Sequence, residues 1–293
     1  MSEIEMRVLE FGSYLAGPLV GRFLNDVGFE ITSIKRPETA SGYEHERDYM
    51  KHMNSHIHAG KTRVTLDVYA EYEVVVEHVR TSGILVENMG DGVMRRMGLD
   101  FETCVGINPN IIYVSLPGFA HEGEYMGCKA WDSVVMARSG VFRDMGLNRT
   151  LLGITASFSS LPMASVYASI FAALSTMIAV FNEDYGQHIR VPLASALMEA
   201  LVHNSIQLPL DDRYRSRRAI RIRSGNYPVD EQTLSNLLDP FFCKYMCADD
   251  RTVYLVCPAH YRHQMNAIDC LGITPEIERI IPRVAPYDDT EHR

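Results

Sequence analysis

Gly83-Ile84-Leu85-Val86-Glu87-Asn88-Met89-Gly90-Asp91-Gly92-Val93-Met94-Arg95-Arg96-Met97-Gly98-Leu99 is the stretch whose reading decides the fold. Gly83 to Glu87 is a short apolar run that reads as a buried strand. Asn88, Gly90 and Gly92 form a turn in which backbone N–H groups can approach a ligand closely, and a helix opens at Val93. Arg96 follows on that helix. A strand, a glycine turn and a helix with an early arginine make a site for an anionic, phosphate-bearing ligand; they also occur in any βα loop.

Working outward, the same alternation repeats. Strands are predicted at Arg7–Phe11, Phe29–Ile34, Val64–Leu66, Ile84–Glu87 and Ile111–Leu116. Helices fall at Pro18–Val27, Tyr72–Thr81, Gly92–Met97, Phe101–Ile107 and Asp132–Ser139, and a long one at Pro162–Phe181 is followed by Gln187–Val191 and a helix through Val202. Strands alternating with helices imply an α/β domain with a Rossmann-like parallel sheet, which binds ligands at the carboxyl ends of its strands. The division expected is a large domain over 1–205, an arginine-rich connector over 206–235 and a smaller α+β domain over 236–293. In that last part Phe242–Met246 and Thr252–Cys257 read as a hairpin around Ala248-Asp249-Asp250-Arg251, followed by a helix from His260 to Leu271. The acidic tail from Tyr287 to Arg293 reads as frayed.

A series of landmarks in one order carries a family resemblance. They are Val8-Leu9-Glu10-Phe11-Gly12-Ser13-Tyr14-Leu15-Ala16-Gly17-Pro18, Ile31 to Pro37 with its basic pair, Gly60-Lys61 with Leu66-Asp67, Val86-Glu87-Asn88, Asn108 to Ser115, Gly118-Phe119, and Lys129-Ala130-Trp131-Asp132 ahead of Ser139-Gly140. Together they resemble the family III CoA-transferases, the group that includes formyl-CoA and carnitine CoA-transferases and the related α-methylacyl-CoA racemases. The resemblance implies the family III fold, coenzyme A as ligand, and an acyl-CoA and a carboxylic acid as partners. It also implies a cofactor-binding set at Leu15, Ala16, Arg36, Leu66, Tyr69, Asn88, Met89, Gly90, Arg96 and Lys129, Tyr69 standing where the family has a lysine. Three cations with backbone donors suit a pyrophosphate and a 3′-phosphate.

The family reacts through an aspartyl nucleophile placed just before the long helix. Counting back from Ala172-Ala173-Leu174, that position is Ser159. Phe158, Ser160, Leu161 and Pro162 offer no carboxylate, and a serine needs an adjacent base that the local sequence lacks. Asp132 is the other carboxylate in play: near the thioester by family resemblance, or an N-cap of the helix that follows it. Racemisation needs a base on each face of the α-carbon, and Trp131 stands where racemases have a histidine. The family's glycine-rich acyl loop finds only Gly225 between Arg223 and Cys243. The expected function is therefore participation in CoA transfer between acids, with the nucleophile supplied by a partner or by the second half of a tandem-domain CoA-transferase/lyase. The alternative is a non-catalytic acyl-CoA-binding or scaffold subunit.

The chain has 293 residues and a net charge of −9, which argues against nucleic acid or an anionic membrane as the main partner. Its six cysteines lack a framework spacing, and no signal peptide precedes the first strand; both read as a cytoplasmic protein with reduced thiols. No charged residue occurs from Thr150 to Asn182, but eight serines and threonines interrupt that run, so a buried central helix is expected rather than a membrane span. No metal is expected. His52, His56 and His58 read as a polar loop, and Cys243, Cys247, Cys257 and His260 are spaced unlike common zinc modules. Six arginines between Arg213 and Arg223 read as the connector, and a homodimer or pairing with a longer catalytic relative is expected.

Overall fold

A computed structural model describes residues 6–37, 48–144, 147–154, 158–201, 211, 215, 217–257 and 261–274. They form two compact units, one of 1–142 with 158–206 and the other of 143–157 with 207–293. Residues 143–157, counted with the large domain by sequence, thus cluster with the later unit, as does most of the arginine-rich stretch.

The first unit is built on six parallel strands: β1 (Arg7–Phe11), β2 (Glu30–Lys35), β3 (Thr62–Thr65), β4 (Ile84–Glu87), β5 (Ile112–Ser115) and β6 (His188–Arg190). Their order is β3-β2-β1-β4-β5-β6, the doubly wound arrangement. Chain order reverses between β1 and β4, which pair from Val8↔Ile84 to Phe11↔Glu87. Its helices are α1 (Ala16–Asp26), α2 (Asp48–Ile57), α3 (Tyr72–Arg80), α4 (Val93–Arg96), α5 (Phe101–Ile107), α6 (Asp132–Arg138), α9 (Met163–Phe181) and α10 (Leu193–Ala200); between α6 and α9, α7 (Val141–Asp144) crosses the division and α8 (Leu147–Leu151) belongs to the other unit.

Period-two alternation sends neighbouring strand residues to opposite cores. Val8, Ile31, Ile84, Val86, Ile112 and Val114 join α1, α6, α9 and α10 on one face. Leu9, Phe11, Ile34, Leu85 and Tyr113 meet Val75, Val79, Met94, Met97, Leu99 and Cys104 on the other. The long uncharged helix α9 lies in the first layer. Its small residues Ala164, Ser165, Ala168, Ser169, Ala172, Ala173 and Thr176 form the buried stripe, and it packs on α1, α6 and α10. By length and composition it is the one helix among the described residues that would also suit a membrane, yet half of that apolar window is buried inside the protein. Ser169 Oγ donates to Ala16 O at 2.8 Å and Thr176 Oγ1 to Ala172 O at 2.7 Å, so its polar side chains are satisfied within the layer.

One buried ion pair ties several of these elements together. Lys61 Nζ donates to Glu10 Oε2 and to Pro18 O, both at 2.6 Å, and Ser33 Oγ donates to Glu10 Oε1 at 2.8 Å. Both charged side chains are fully buried. Gly21 on α1 makes the room, since a Cβ there would overlap the Glu10 carboxylate. Burial pushes the Lys61 ammonium below the usual lysine range in spite of Glu10.

Three local readings are corrected. The stretch with His52 and His56 is helix α2 rather than a polar loop: Met53 and Ile57, four residues apart, face inward while His52 and His56 are exposed. The arginine-rich run is helical at α11 (Arg217–Arg223), where Arg217 Nη1 reaches Asn236 O at 3.5 Å and Arg221 Nε reaches Asn226 O at 2.7 Å. Arginine, alanine and isoleucine all permit helix, and the run packs on α8 of the same unit. A further helix, α12 (Glu231–Leu237), is capped by Asp230, whose carboxylate accepts from Thr233 N at 2.7 Å.

The hairpin forms as expected from β7 (Phe242–Met246) and β8 (Thr252–Val256), followed by α13 (Tyr261–Leu271). Cys243 and Cys257 are buried there. All six cysteines are free thiols, and among the described residues no group of three or more His, Cys, Asp or Glu is arranged to hold a metal; His260 and Arg213 lie outside the described residues.

Removing one partner of the buried pair strands the other charge. Lys61→Ala is therefore expected to lower unfolding free energy by about 3–5 kcal/mol, and Lys61→Ala with Glu10→Gln to recover part of that loss. Urea denaturation of the three proteins provides the check.

Candidate functional site

The carboxyl ends of β1, β2, β3 and β4 bring together most of the residues singled out by sequence. After β1 the chain turns through Gly12 to Leu15, with Tyr14 in the left-handed region at φ 63°, a costly conformation for a bulky residue. The turn delivers the N-terminus of α1, whose first N–H groups have no intrahelical acceptor. Leu15 and Ala16 are 5% and 3% exposed, so a ligand here meets their backbone rather than their side chains.

Asn88 locks this turn to the loop after β4. Its Oδ1 accepts from Ser13 N and its Nδ2 donates to Ser13 O, both at 2.8 Å. Gly17 lies against the same amide, and a Cβ there would crowd Asn88 Oδ1. Asn88 is thus an organiser of the loop pair. Met89 is half-buried and Gly90 exposed; Gly92 takes φ 69° to turn the chain into α4.

Arg36 is exposed beyond β2, and its Nη2 lies 4.0 Å from Met97 Sδ, next to the end of α4 that carries exposed Arg96. Leu66 is buried, with its N–H on Lys35 O at 3.0 Å, and ties β3 to the Arg36 loop. Tyr69 is 67% exposed on a turn made by Asp67, whose Oδ1 accepts from Tyr69 N at 3.0 Å. Lys129 is exposed in the loop before α6, and that loop passes the β4 turn at Gly127, 3.8 Å from Asp91 as measured from a Cβ position. Arg36 thus reaches the end of α4, and the loop that carries Lys129 comes close to Asp91 of the β4 turn.

Asp132 does something the sequence did not announce. The N-cap of α6 is Trp131, and Asp132 sits in the first turn rather than capping its own helix. Its carboxylate instead accepts from Ser165 N at 2.7 Å and Ala164 N at 3.3 Å, across 33 and 32 residues of sequence. It therefore caps α9, whose own N-cap position holds Pro162 with no side-chain bond. The anion-seeking end of that helix is filled by a carboxylate of the chain itself. Ser159 is half-buried, and its Oγ accepts from Leu161 N at 3.3 Å, a local turn bond and not a cap of α9.

Two groups on the α5 side of the sheet escaped the sequence reading. Glu87 is 8% exposed at the end of β4; burial pushes its carboxyl up to about 7, against the opposing pull of the Met89 N–H, which donates to Oε2 at 2.8 Å. A glutamate closing a four-residue buried strand was the available signal. His188 stacks on Phe101 at 4.9 Å, and its Nε2 lies 2.8 Å from Ser115 Oγ. Arg190 Nε donates to His188 Nδ1 at 3.2 Å, which puts the ring hydrogen on Nε2 and makes the imidazole a donor to Ser115, not its base. Burial, with help from the Arg190 charge, lowers this imidazole to about 4.

The doubly wound sheet, with its switch-point loops clamped together by Asn88, places the protein in the open α/β class, whose general ligand position is the carboxyl edge of the sheet. Within that class, the family model for CoA-transferase family III matches residues 4–272, and the chain belongs to this family. It is 37% identical over 286 residues to the CoA-transferase/lyase DddD of Marinomonas sp. strain MWYL1, covering 94% of this chain and 33% of that protein. It is 25% identical to the succinate–glutarate CoA-transferase of Agrobacterium fabrum, covering 71% of this chain and 55% of that enzyme. With a formyl-CoA:oxalate CoA-transferase of Rhodopseudomonas palustris the identity is 27%, over 72% and 49%. The chain thus spans about a third to about half the length of these relatives. Among solved structures, a CAIB/BAIF family protein from Brucella suis shares the fold with a TM-score of 0.65 at 23% identity, over 93% of this chain and 70% of that one.

Asp132→Ala leaves two helix N–H groups of α9 without an acceptor and is expected to cost about 1–2 kcal/mol of stability. Ser159→Ala removes only a turn bond and is expected to cost less than about 0.5 kcal/mol. Denaturant unfolding followed by circular dichroism separates the two.

Proposed function

We propose that this chain binds coenzyme A or an acyl-CoA at the carboxyl edge of its sheet and takes part in moving CoA between carboxylic acids. The observation that carries the reading is the convergence of the Asn88-clamped loops, the α1 N-terminus and exposed Arg36, Arg96 and Lys129 on one edge of an otherwise acidic protein. The residues present fit such a ligand: planar guanidinium groups and backbone donors suit a pyrophosphate and a further phosphate. Ser159 holds the place of the family's aspartyl nucleophile, and Asp132 is engaged at the α9 N-terminus. The acyl-accepting carboxylate is accordingly assigned to a partner subunit or to a second domain of a longer chain. The DddD relative, a CoA-transferase/lyase about threefold longer than this chain, supports that division of labour. A non-catalytic acyl-CoA-binding role is the second reading, favoured by the serine at position 159. Six free thiols support a cytoplasmic setting.

Calorimetry with CoA and with pantetheine tests the site. CoA is expected to bind more tightly than pantetheine, and Arg36→Ala, Arg96→Ala and Lys129→Ala to lose about 1.5–3 kcal/mol each, the range for charge-assisted hydrogen bonds. Turnover with succinyl-CoA, followed by hydroxylamine trapping, is expected to be negligible for the isolated chain. Equal affinity for CoA and pantetheine would remove the phosphate site from consideration.

The chain is also proposed to pair, as a homodimer or with a longer catalytic relative, the arginines from Arg213 to Arg223 meeting acidic groups of the partner. Helix α9 supports pairing by the apolar side it leaves open: Ile170, Leu174, Ile178 and Phe181 are 44%, 52%, 51% and 87% exposed. Light scattering over a range of concentration and salt is expected to show a dimer, and a monomer throughout would contradict self-association.

A further inference from the structure

We propose that Glu87 is a positioning residue for the ligand-binding loop after β4, which takes up a proton from solvent when the anionic ligand binds. This rests on the CoA site proposed above. The geometry begins with the strand end: Glu87 faces the core shared with Leu85 and Tyr113, and its Oε2 accepts the Met89 N–H at 2.8 Å. One residue separates that bond from the Asn88 clamp on Ser13. The carboxylate thus holds a backbone donor of the loop away from any ligand.

The surroundings leave the charge of Glu87 uncompensated. Phe11 opposes it on β1 and carries no charge. From β5 come Tyr113, whose hydroxyl donates to Leu99 O at 3.0 Å, and Ser115, which is bonded to His188. From β6 come His188, neutral at pH 7, and Arg190, which is engaged with that imidazole. From the segment of α4 and α5 come Arg95, which pairs with Asp100, Arg96, Glu102 and the buried Cys104 thiol; Asp91 lies in the loop itself. None of these charges offsets the burial, which is what holds the carboxyl up at about 7.

Two effects of ligand binding then have the same sign. An anion beside Asn88, Met89 and Gly90 disfavours a buried negative charge a residue away, since repulsion is weakly screened there. A neutral carboxyl is also a poorer acceptor than a carboxylate, so protonation releases the Met89 N–H toward the ligand. Binding therefore draws a proton from solvent onto a Glu87 oxygen, and the protein's affinity for an anion falls as pH rises through about 7. The ligand's own phosphate titration works in the opposite direction, so the Glu87 effect is read as a difference between variants.

Calorimetric titration of the full chain with CoA, in buffers of unlike ionisation enthalpy at pH 7.5, counts the protons exchanged. Wild type is expected to take up about half a proton more than Glu87→Gln, as follows from a one-unit rise in the carboxyl's pKa on binding. Between pH 6.5 and 8.5 the affinity of wild type relative to Glu87→Gln is expected to fall by up to about tenfold. Equal proton counts and parallel pH profiles, with CoA bound in both, would overturn the role of Glu87 and leave the site standing. No CoA binding by wild type at any pH would instead remove the site, and this role with it. Should Glu87→Gln not fold, the wild-type count is taken at pH 8.5, where the ligand's phosphates are fully ionised before and after binding: net uptake there supports the assignment, and zero or net release overturns it.

Discussion

The buried pair of Glu10 and Lys61 is the constraint on which the rest of the first unit hangs. Two opposite charges taken fully out of water tolerate little displacement, because any loosening leaves desolvated groups without acceptors. Their bonds reach Ser33 on β2 and the Pro18 carbonyl on α1, so a single cluster sets the spacing of β1, β2, α1 and the segment entering β3. Gly21 is the complementary requirement, an absent side chain where the carboxylate lies. With α1 held in that way, its N-terminus and the loop from Gly12 to Leu15 have a fixed place at the carboxyl edge.

The site inherits its precision from that placement. Asn88 bonds both backbone groups of Ser13, making the loops after β1 and β4 one structure across the switch point. The cations are treated differently from the clamps. Arg36, Arg96 and Lys129 stay exposed around the edge, while the groups that shape the backbone, Asn88 and Glu87, are partly or almost wholly buried. Such a division lets the loops be preorganised while the charged side chains remain hydrated until a ligand arrives.

Helix α9 shows how an uncharged segment can belong to a sheet protein. Its alanines and serines admit close approach of α1 and α10, and its hydroxyls return their hydrogen bonds to nearby carbonyls. Its N-terminus is closed by Asp132 from another helix, and Ser159 just ahead of it sits in a local turn.

Local pattern was enough for the strands, the doubly wound class, the long helix and the hairpin, because periodicity, glycine turns and apolar runs act within a few residues of themselves. The landmark order was likewise enough for the family. The helix at Asp48–Ile57 and that at Arg217–Arg223 were not legible, since the first turns inward at only a few apolar positions and the second, with no buried residue, has no apolar stripe to read. The roles of Asp132, Glu10, Lys61, Glu87 and His188 were decided only by tertiary structure. Each is a polar group whose behaviour depends on a partner or a degree of burial set by residues distant in the chain: Asp132 on Ser165, Glu10 on Lys61, and His188 on Ser115. Sequence by itself determined which groups were present and which elements would carry them. Folding determined which of them met a partner and which were taken out of water: Asp132 became a cap by meeting the free N–H groups of α9, while burial altered Lys61, Glu87 and His188.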